Sequence, residues 1–243
     1  DTAGLYAVYG NGYNAKGDAD GNTSALIVVD VVRGKFVNNI VAKALATTPE
    51  LPDGTYKTGM AEPLVYDYDN DGFADYIYSG DLDGNMYRLT LVGKSIESSS
   101  ADAVTDADLQ RIAVCYDASH QRQSITTRPT AGINPEGNGS VYVSWGTGRF
   151  LVVEDGLVRD NSGKSVSHAV NSLYTIVDNF RDNDLTRDST GVTVSATEYD
   201  EESSTAQGSE NDAVRKLSFS KTTPKGETFR GLVVDLMPVT SAK

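Results

Sequence analysis

Four carboxylates fall within nine residues at Asp67, Asp69, Asp71 and Asp75, in the stretch YDYDNDGFADYIYSGDLDGNMYRL (Tyr66–Leu89). Gly72 occupies the sixth position of the run, so the pattern is D-x-D-x-D-G-x-x-D. Alternate carboxylates converge on one point when the backbone curls around it, and a glycine at position six permits the sharp turn. Position seven, Phe73, offers its backbone carbonyl. These are the ligand types of a hard cation taking six to eight oxygens, and the flexible ligand set favours Ca2+ over Mg2+. Without a cation the four charges repel one another, which separates a metal loop from a decorative acidic turn. An EF-hand would place a bidentate Glu at position twelve, but Tyr78 stands there and β-type residues follow. The reading is therefore an EF-hand-like calcium loop between strands, with metal ligands Asp67, Asp69, Asp71, Phe73 and Asp75. Asp75 takes the closing role, and a water completes the shell.

Other polar motifs carry less chemistry. Asp18-Ala-Asp20-Gly-Asn22 begins like a metal loop, but no later carboxylate completes it, so it reads as a hairpin turn. Asp81-Leu-Asp83-Gly84-Asn85 lies between two strand-like runs and reads as a turn with Gly84 at positive φ. His120 and His168 have no catalytic partner nearby in sequence, and no G-x-S-x-G, H-E-x-x-H or P-loop pattern occurs. Gly146-Thr-Gly148 lacks dinucleotide-binding spacing and reads as a strand bend where neighbouring backbone comes close. Trp145 reads as a core aromatic between blades. The one cysteine, Cys115, cannot form an internal disulfide and reads as a small buried residue.

The elements that position the acidic loop are strands. LYAVYG, SALIVVDVVRG and KFVNNIVA open the chain, with a hairpin turn at Arg33-Gly34 that needs positive φ at the glycine. Thr47–Gly59 reads as a loop from its Pro and Gly content. YIYSGD and NMYRLTLVG follow the acidic run, and Lys94–Gln110 reads as an exposed excursion. RIAVCYD, ITTRPTAGI, SVYVSWGTGRFLVVED, HAVNSLYTIVDN, KLSFS and FRGLVVDLMP supply further strands. Strand clusters recur every roughly 40–50 residues, the spacing of propeller blades. The expected fold is all-β, a modified β-propeller with roughly four to five blades visible. Residues 1–243 form one such domain, with a mobile insertion at 181–212. A β-sandwich is the structural alternative. The abrupt, strand-like beginning reads as a piece of something larger.

The 243 residues include 21 Lys plus Arg against 34 Asp plus Glu, a formal charge of −13. That balance argues against a nucleic-acid partner, since phosphate binding needs a basic surface. It suits a divalent-cation binder or a secreted surface protein. No apolar run is long enough to be a transmembrane helix.

Taken together, AVYGNGYN, ALIVVDVVRGK and DYDNDGFADYIYSGDLDGNMYRL resemble the C-terminal domain of the PilC/PilY family of type IV pilus-associated adhesins. ITTRPTAGINPEGNGSVYVSWGTGRFL and NSLYTIVD are similar to later blades of that domain. The specific part is Asp67–Leu89, where metal loop and G-D-L-x-G-N-aromatic-R-L turn occur together. The resemblance implies a modified β-propeller at pilus tips or outer cell surfaces, hence extracellular. It implies a calcium loop on Asp67, Asp69, Asp71, Phe73 and Asp75, and no catalysis. It further implies partners among minor pilins or other pilus-tip components, surface attachment (host or abiotic) and twitching motility, while adhesion to a host ligand is not carried over. In the family, the calcium-bound state supports pilus extension and the calcium-free state permits retraction. The Arg-Gly-Asp motif of some members does not occur here.

Two other readings share the loop. An integrin-α-like propeller with FG-GAP repeats carries D-x-[DN]-x-D-G-x-x-D loops, but in several blades, where this chain has one complete copy. A quinoprotein-like propeller enzyme places calcium beside its cofactor, but needs cofactor-stacking tryptophans, and this chain has a single Trp.

Overall fold

The computed structural model describes residues 4–13, 24–42, 59–115, 123–135, 139–149, 171–178, 180, 214–218 and 229–236. Twelve strands form within them: β1 (Tyr6–Gly10), β2 (Ala25–Asp30), β3 (Lys35–Val41), β4 (Leu64–Tyr66), β5 (Tyr76–Gly80) and β6 (Asn85–Thr90); then β7 (Leu109–Val114), β8 (Thr130–Ile133), β9 (Val141–Gly146), β10 (Asn171–Asp178), β11 (Val214–Ser218) and β12 (Phe229–Leu236). They assemble into three antiparallel sheets with orders β1-β2-β3, β4-β5-β6-β7 and β11-β12-β10-β9-β8. No helix among the described residues is long and apolar enough to cross a membrane.

The middle sheet holds the most buried of the described strands, and its sequence explains why. Every residue of β5 is buried, as are five of the six in β6. In register, Tyr76, Tyr78, Arg88 and Met86 share one face, while Ile77, Leu89 and Tyr87 share the other. Tyr76, Tyr78 and Met86 pack with Val141, Val143 and Trp145 of the third sheet. Ile77, Tyr87 and Leu89 pack with Leu26, Val28 and Ile40 of the first. Apolar residues at both parities of one strand require a partner on each side. Stacking of successive sheets, rather than a two-sheet sandwich, follows from that pattern.

Polar groups also join the sheets. Arg88 on β6 pairs with Asp178 on β10, with side-chain exposures of 7% and 1%. Asp178 also accepts a hydrogen bond from the Tyr78 hydroxyl at 2.8 Å, and Arg88 donates to Gln110 Oε1 at 2.7 Å. Burial and the Asp178 charge drive the Tyr78 hydroxyl's pKa far above its ordinary value. Between the first and second sheets, the buried Asp81 carboxylate accepts from Ser24, from Asn85 and from the Tyr87 hydroxyl.

Several sequence expectations meet the structure directly. Gly34 and Gly84 have φ of 60° and 78° at the two predicted turns. A Cβ on Gly84 would also come within 2.5 Å of the Gln123 carbonyl, so that turn requires glycine twice over. Trp145 lies between the second and third sheets, stacked on Tyr174 at 5.5 Å, with its Nε1 donating to the Sγ of buried Cys115. Neighbouring backbone comes close at the Gly146–Gly148 bend, where Thr147 N–H donates to Ser172 and Gly148 N–H to Ser124.

Two expectations look different among the described residues. Where strand spacing pointed to four or five units, the described residues make three sheets. The described strands from β8 onward join one sheet, in which β12 lies between β10 and β11. Lys94–Gln110 is largely exposed or half-buried, as its composition suggests, but it is a folded segment docked on the first sheet. Ser95 and Val104 bond across it, Val104 is buried, and Asn38 of β3 donates to the carbonyls of Ile96 and Val104. The Asp18–Asn22 turn, most of the Thr47–Gly59 loop, His120, His168 and the 181–212 insertion lie outside the described residues.

Candidate metal loop

The acidic run connects β4 to β5, so both ends are anchored in the middle sheet. Asp75 closes its base: its N–H donates to the Tyr66 carbonyl at 3.0 Å, and its carbonyl accepts from Leu91 at 2.8 Å. The loop then turns on itself through aspartate side chains. Asp69 Oδ1 accepts from the Asp71 N–H at 3.1 Å, Asp71 Oδ1 from the Phe73 N–H at 2.8 Å, and Asp67 Oδ2 from the Gly72 N–H at 2.9 Å. Asn70 and Gly72 adopt positive φ, 61° and 92°, the conformations that Asn and Gly tolerate best.

This winding gathers three carboxylates. Oxygens of Asp67, Asp69 and Asp71 lie within 4.8 Å of one another, Asp67 half-buried and the other two exposed. Asp67 Oδ1 is buried and has no hydrogen-bond partner. A buried carboxylate oxygen without a donor is costly unless a cation or water meets it. The donor set of hard oxygens around that orphaned atom fits a divalent cation of the calcium type.

The remaining sequence-predicted ligands sit at the loop's edge. Asp75 lies outside the three-carboxylate group, and its Oδ2 accepts from the Tyr68 N–H at 2.7 Å. Phe73 projects its ring to solvent at the tip, 60% exposed. Tyr78, at the position of an EF-hand Glu, is fully buried and bonded to Asp178, which removes it from the loop. Sequence reasoning passed over Tyr68, whose hydroxyl reaches the Gly139 carbonyl 71 residues away at 2.9 Å. A tyrosine between two ligand positions gives no local sign of such a contact.

The model of the PilY1 beta-propeller domain matches residues 2–206. The chain belongs to the PilY1 β-propeller domain family. Type IV pilus biogenesis factor PilY1 of Pseudomonas aeruginosa strain UCBPP-PA14 is 27% identical over 171 residues, 63% of this chain and 14% of that protein. The PilY1 homolog of Xylella fastidiosa strain Temecula1 is 27% identical over 175 residues, 71% of this chain and 11% of that protein. The chain thus spans a small part of the curated relatives it matches. The crystal structure of the P. aeruginosa PilY1 C-terminal domain aligns with a TM-score of 0.51 and 25% identity, over 71% of this chain and 34% of that one. All-β sheet stacking and family membership therefore agree on a β-propeller domain.

Proposed function

We propose that this chain is a calcium-binding, non-catalytic module of a type IV pilus-associated tip protein, acting outside the cell. The observation that carries the calcium reading is the orphaned, buried Asp67 Oδ1 beside the gathered oxygens of Asp69 and Asp71. The ion is held by the carboxylates of Asp67, Asp69, Asp71 and Asp75 and the carbonyl of Phe73, with water completing the shell. Bound calcium cancels the mutual repulsion of the carboxylates and ties the loop to the base of β5.

Membership of the PilY1 propeller family, and relatives named as pilus biogenesis factors, support the pilus context. They favour it over the integrin-like and quinoprotein-like readings, which share only the loop. On this reading the partners are minor pilins or other tip components. The loop's occupancy then biases pilus extension against retraction, and with it surface attachment and twitching.

The test is a replacement in P. aeruginosa PilY1. The matched segment is exchanged for the corresponding residues of this chain, with and without Asp75→Ala, and twitching and surface piliation are scored with and without calcium chelation. The proposal expects the unmodified exchange to respond to calcium and the variant to lose that response. A normally piliated exchange whose calcium response is the same with and without Asp75→Ala overturns the functional role given to the loop.

A further inference from the structure

Tyr68 sits between Asp67 and Asp69, yet its side chain belongs to the interface between the second and third sheets. Its hydroxyl donates to the Gly139 carbonyl at 2.9 Å, in the connection from β8 to β9. Its ring meets Phe180 edge-on at a centroid distance of 5.2 Å and Tyr76 at 6.4 Å. Phe180 in turn stacks on Tyr76 at 4.0 Å, and the Arg88 guanidinium lies 5.8 Å from the Phe180 ring. Meanwhile the Tyr68 backbone N–H is held by Asp75 Oδ2 at 2.7 Å. One residue is thus fixed at its backbone by a proposed calcium ligand and at its ring by the neighbouring sheet.

The β8–β9 connection is a suitable receiver. Its described ends meet through Asn134 N–H to the Ser140 carbonyl at 3.0 Å and Asn134 Nδ2 to Ser140 Oγ at 2.9 Å. Gly139 beside it has φ of 75°. It leads from β8, the edge strand of the third sheet, where Ile133 is 60% exposed. A change in the acidic loop that shifts the Tyr68 backbone must move or release the Gly139 carbonyl, because the ring is rigid and long.

We propose that Tyr68 is a positioning residue that couples ion occupancy of the Asp67–Asp75 loop to the β8–β9 connection. The inference rests on the calcium reading above. With the ion bound, the carboxylates are drawn inward and Tyr68 is held in register with Gly139 and Phe180. Without it, repulsion among Asp67, Asp69 and Asp71 loosens the backbone that aims the ring. Coupling of this kind is reciprocal, so loss of the Gly139 contact weakens ion binding.

Hydrogen exchange of the 243-residue chain, with calcium chloride against chelator, tests this in the wild type, Tyr68→Phe and Phe180→Leu. Calcium is expected to protect amides of residues 67–75 and also of residues 139–146 in the wild type. In Tyr68→Phe, calcium still protects 67–75, the effect at 139–146 falls away, and the calcium dissociation constant rises about three- to tenfold, the worth of one hydrogen bond. Phe180→Leu, which keeps the hydroxyl but loosens the ring, shows a smaller loss in the same direction. Protection at 67–75 with no change at 139–146 in the wild type overturns the coupling alone. The same holds if Tyr68→Phe leaves the distant protection intact. Absence of calcium-induced protection at 67–75 overturns the loop reading and the coupling with it.

Discussion

Asp67→Asn is expected to reverse its effect on stability when calcium is added, an expectation that follows from the loop geometry and the proposed site. The Asp67, Asp69 and Asp71 oxygens lie within 4.8 Å of one another. At that distance two unit charges in bulk-water dielectric repel by about 0.9 kcal/mol, and Asp67 takes part in two such pairs. Removing its charge relieves about 2 kcal/mol at low salt and about 1 kcal/mol at physiological ionic strength, where screening acts over about 8 Å. The asparagine can still accept from the Gly72 N–H, as Asp67 Oδ2 does at 2.9 Å. Its Nδ2 would then stand where Oδ1 is orphaned and donate to a neighbouring carboxylate. The metal-free variant is therefore expected to melt a few degrees above the wild type, at about 2–4 °C per kcal/mol for a chain of this size. With calcium at a hundred times its dissociation constant, the wild type gains about 2.7 kcal/mol by mass action. The variant gains none, so the order inverts. Thermal melts in chelator and in calcium, at two salt concentrations, check both halves. A variant equally destabilised in both media would refute the reasoning and make Asp67 an ordinary cap for Gly72.

Other consequences are independent of the ion. Asp178→Ala leaves Arg88 buried without its partner and should destabilise by about 3–5 kcal/mol in chemical denaturation, whereas replacing both by apolar residues of similar size should cost much less. Asp81 is held at a pKa of about 6 by burial, above its ordinary 3.8, with Asp83 adding repulsion. The sign is that of a raised carboxyl: its contribution is full below about pH 4, falls away as pH rises through about 6, and is flat above. Wild type minus Asp81→Asn should show that slope in urea melts between pH 4 and 7, about 3 kcal/mol in total. Tyr9→Ser and Phe36→Ser, at positions 55% and 65% exposed, should leave the melting temperature within about 2 °C, since surface changes cost about 0.5 kcal/mol or less.

What was legible in the sequence was local. The D-x-D-x-D-G-x-x-D spacing encodes its own winding, because Asp67, Asp69 and Asp71 each bond a backbone N–H two to five residues on. The turn glycines at 34 and 84 announce positive φ, and the apolar runs YIYSG and NMYRLT announce a sheet covered on both faces. Pairings across long separations were not legible. Arg88 and Asp178 lie 90 residues apart, and Tyr68 and Gly139 lie 71 apart. Sheet membership was not legible for a related reason: strand spacing reveals strands, not which sheet they join, and β12 lies between β10 and β11. Asp81 read as one residue of a polar turn. Its inward carboxylate accepts not only from nearby Asn85 and Tyr87 but also from Ser24, 57 residues earlier.

Whether residues 67–75 bind calcium is answered by isothermal titration of the chain. Calcium titrated into the metal-free protein should give one site per chain, with magnesium binding far more weakly. Asp75→Ala and Asp71→Asn should each abolish the heat while leaving the far-ultraviolet circular dichroism unchanged. A flat calcium titration of the folded wild type, or one unaltered in both variants, would contradict the account.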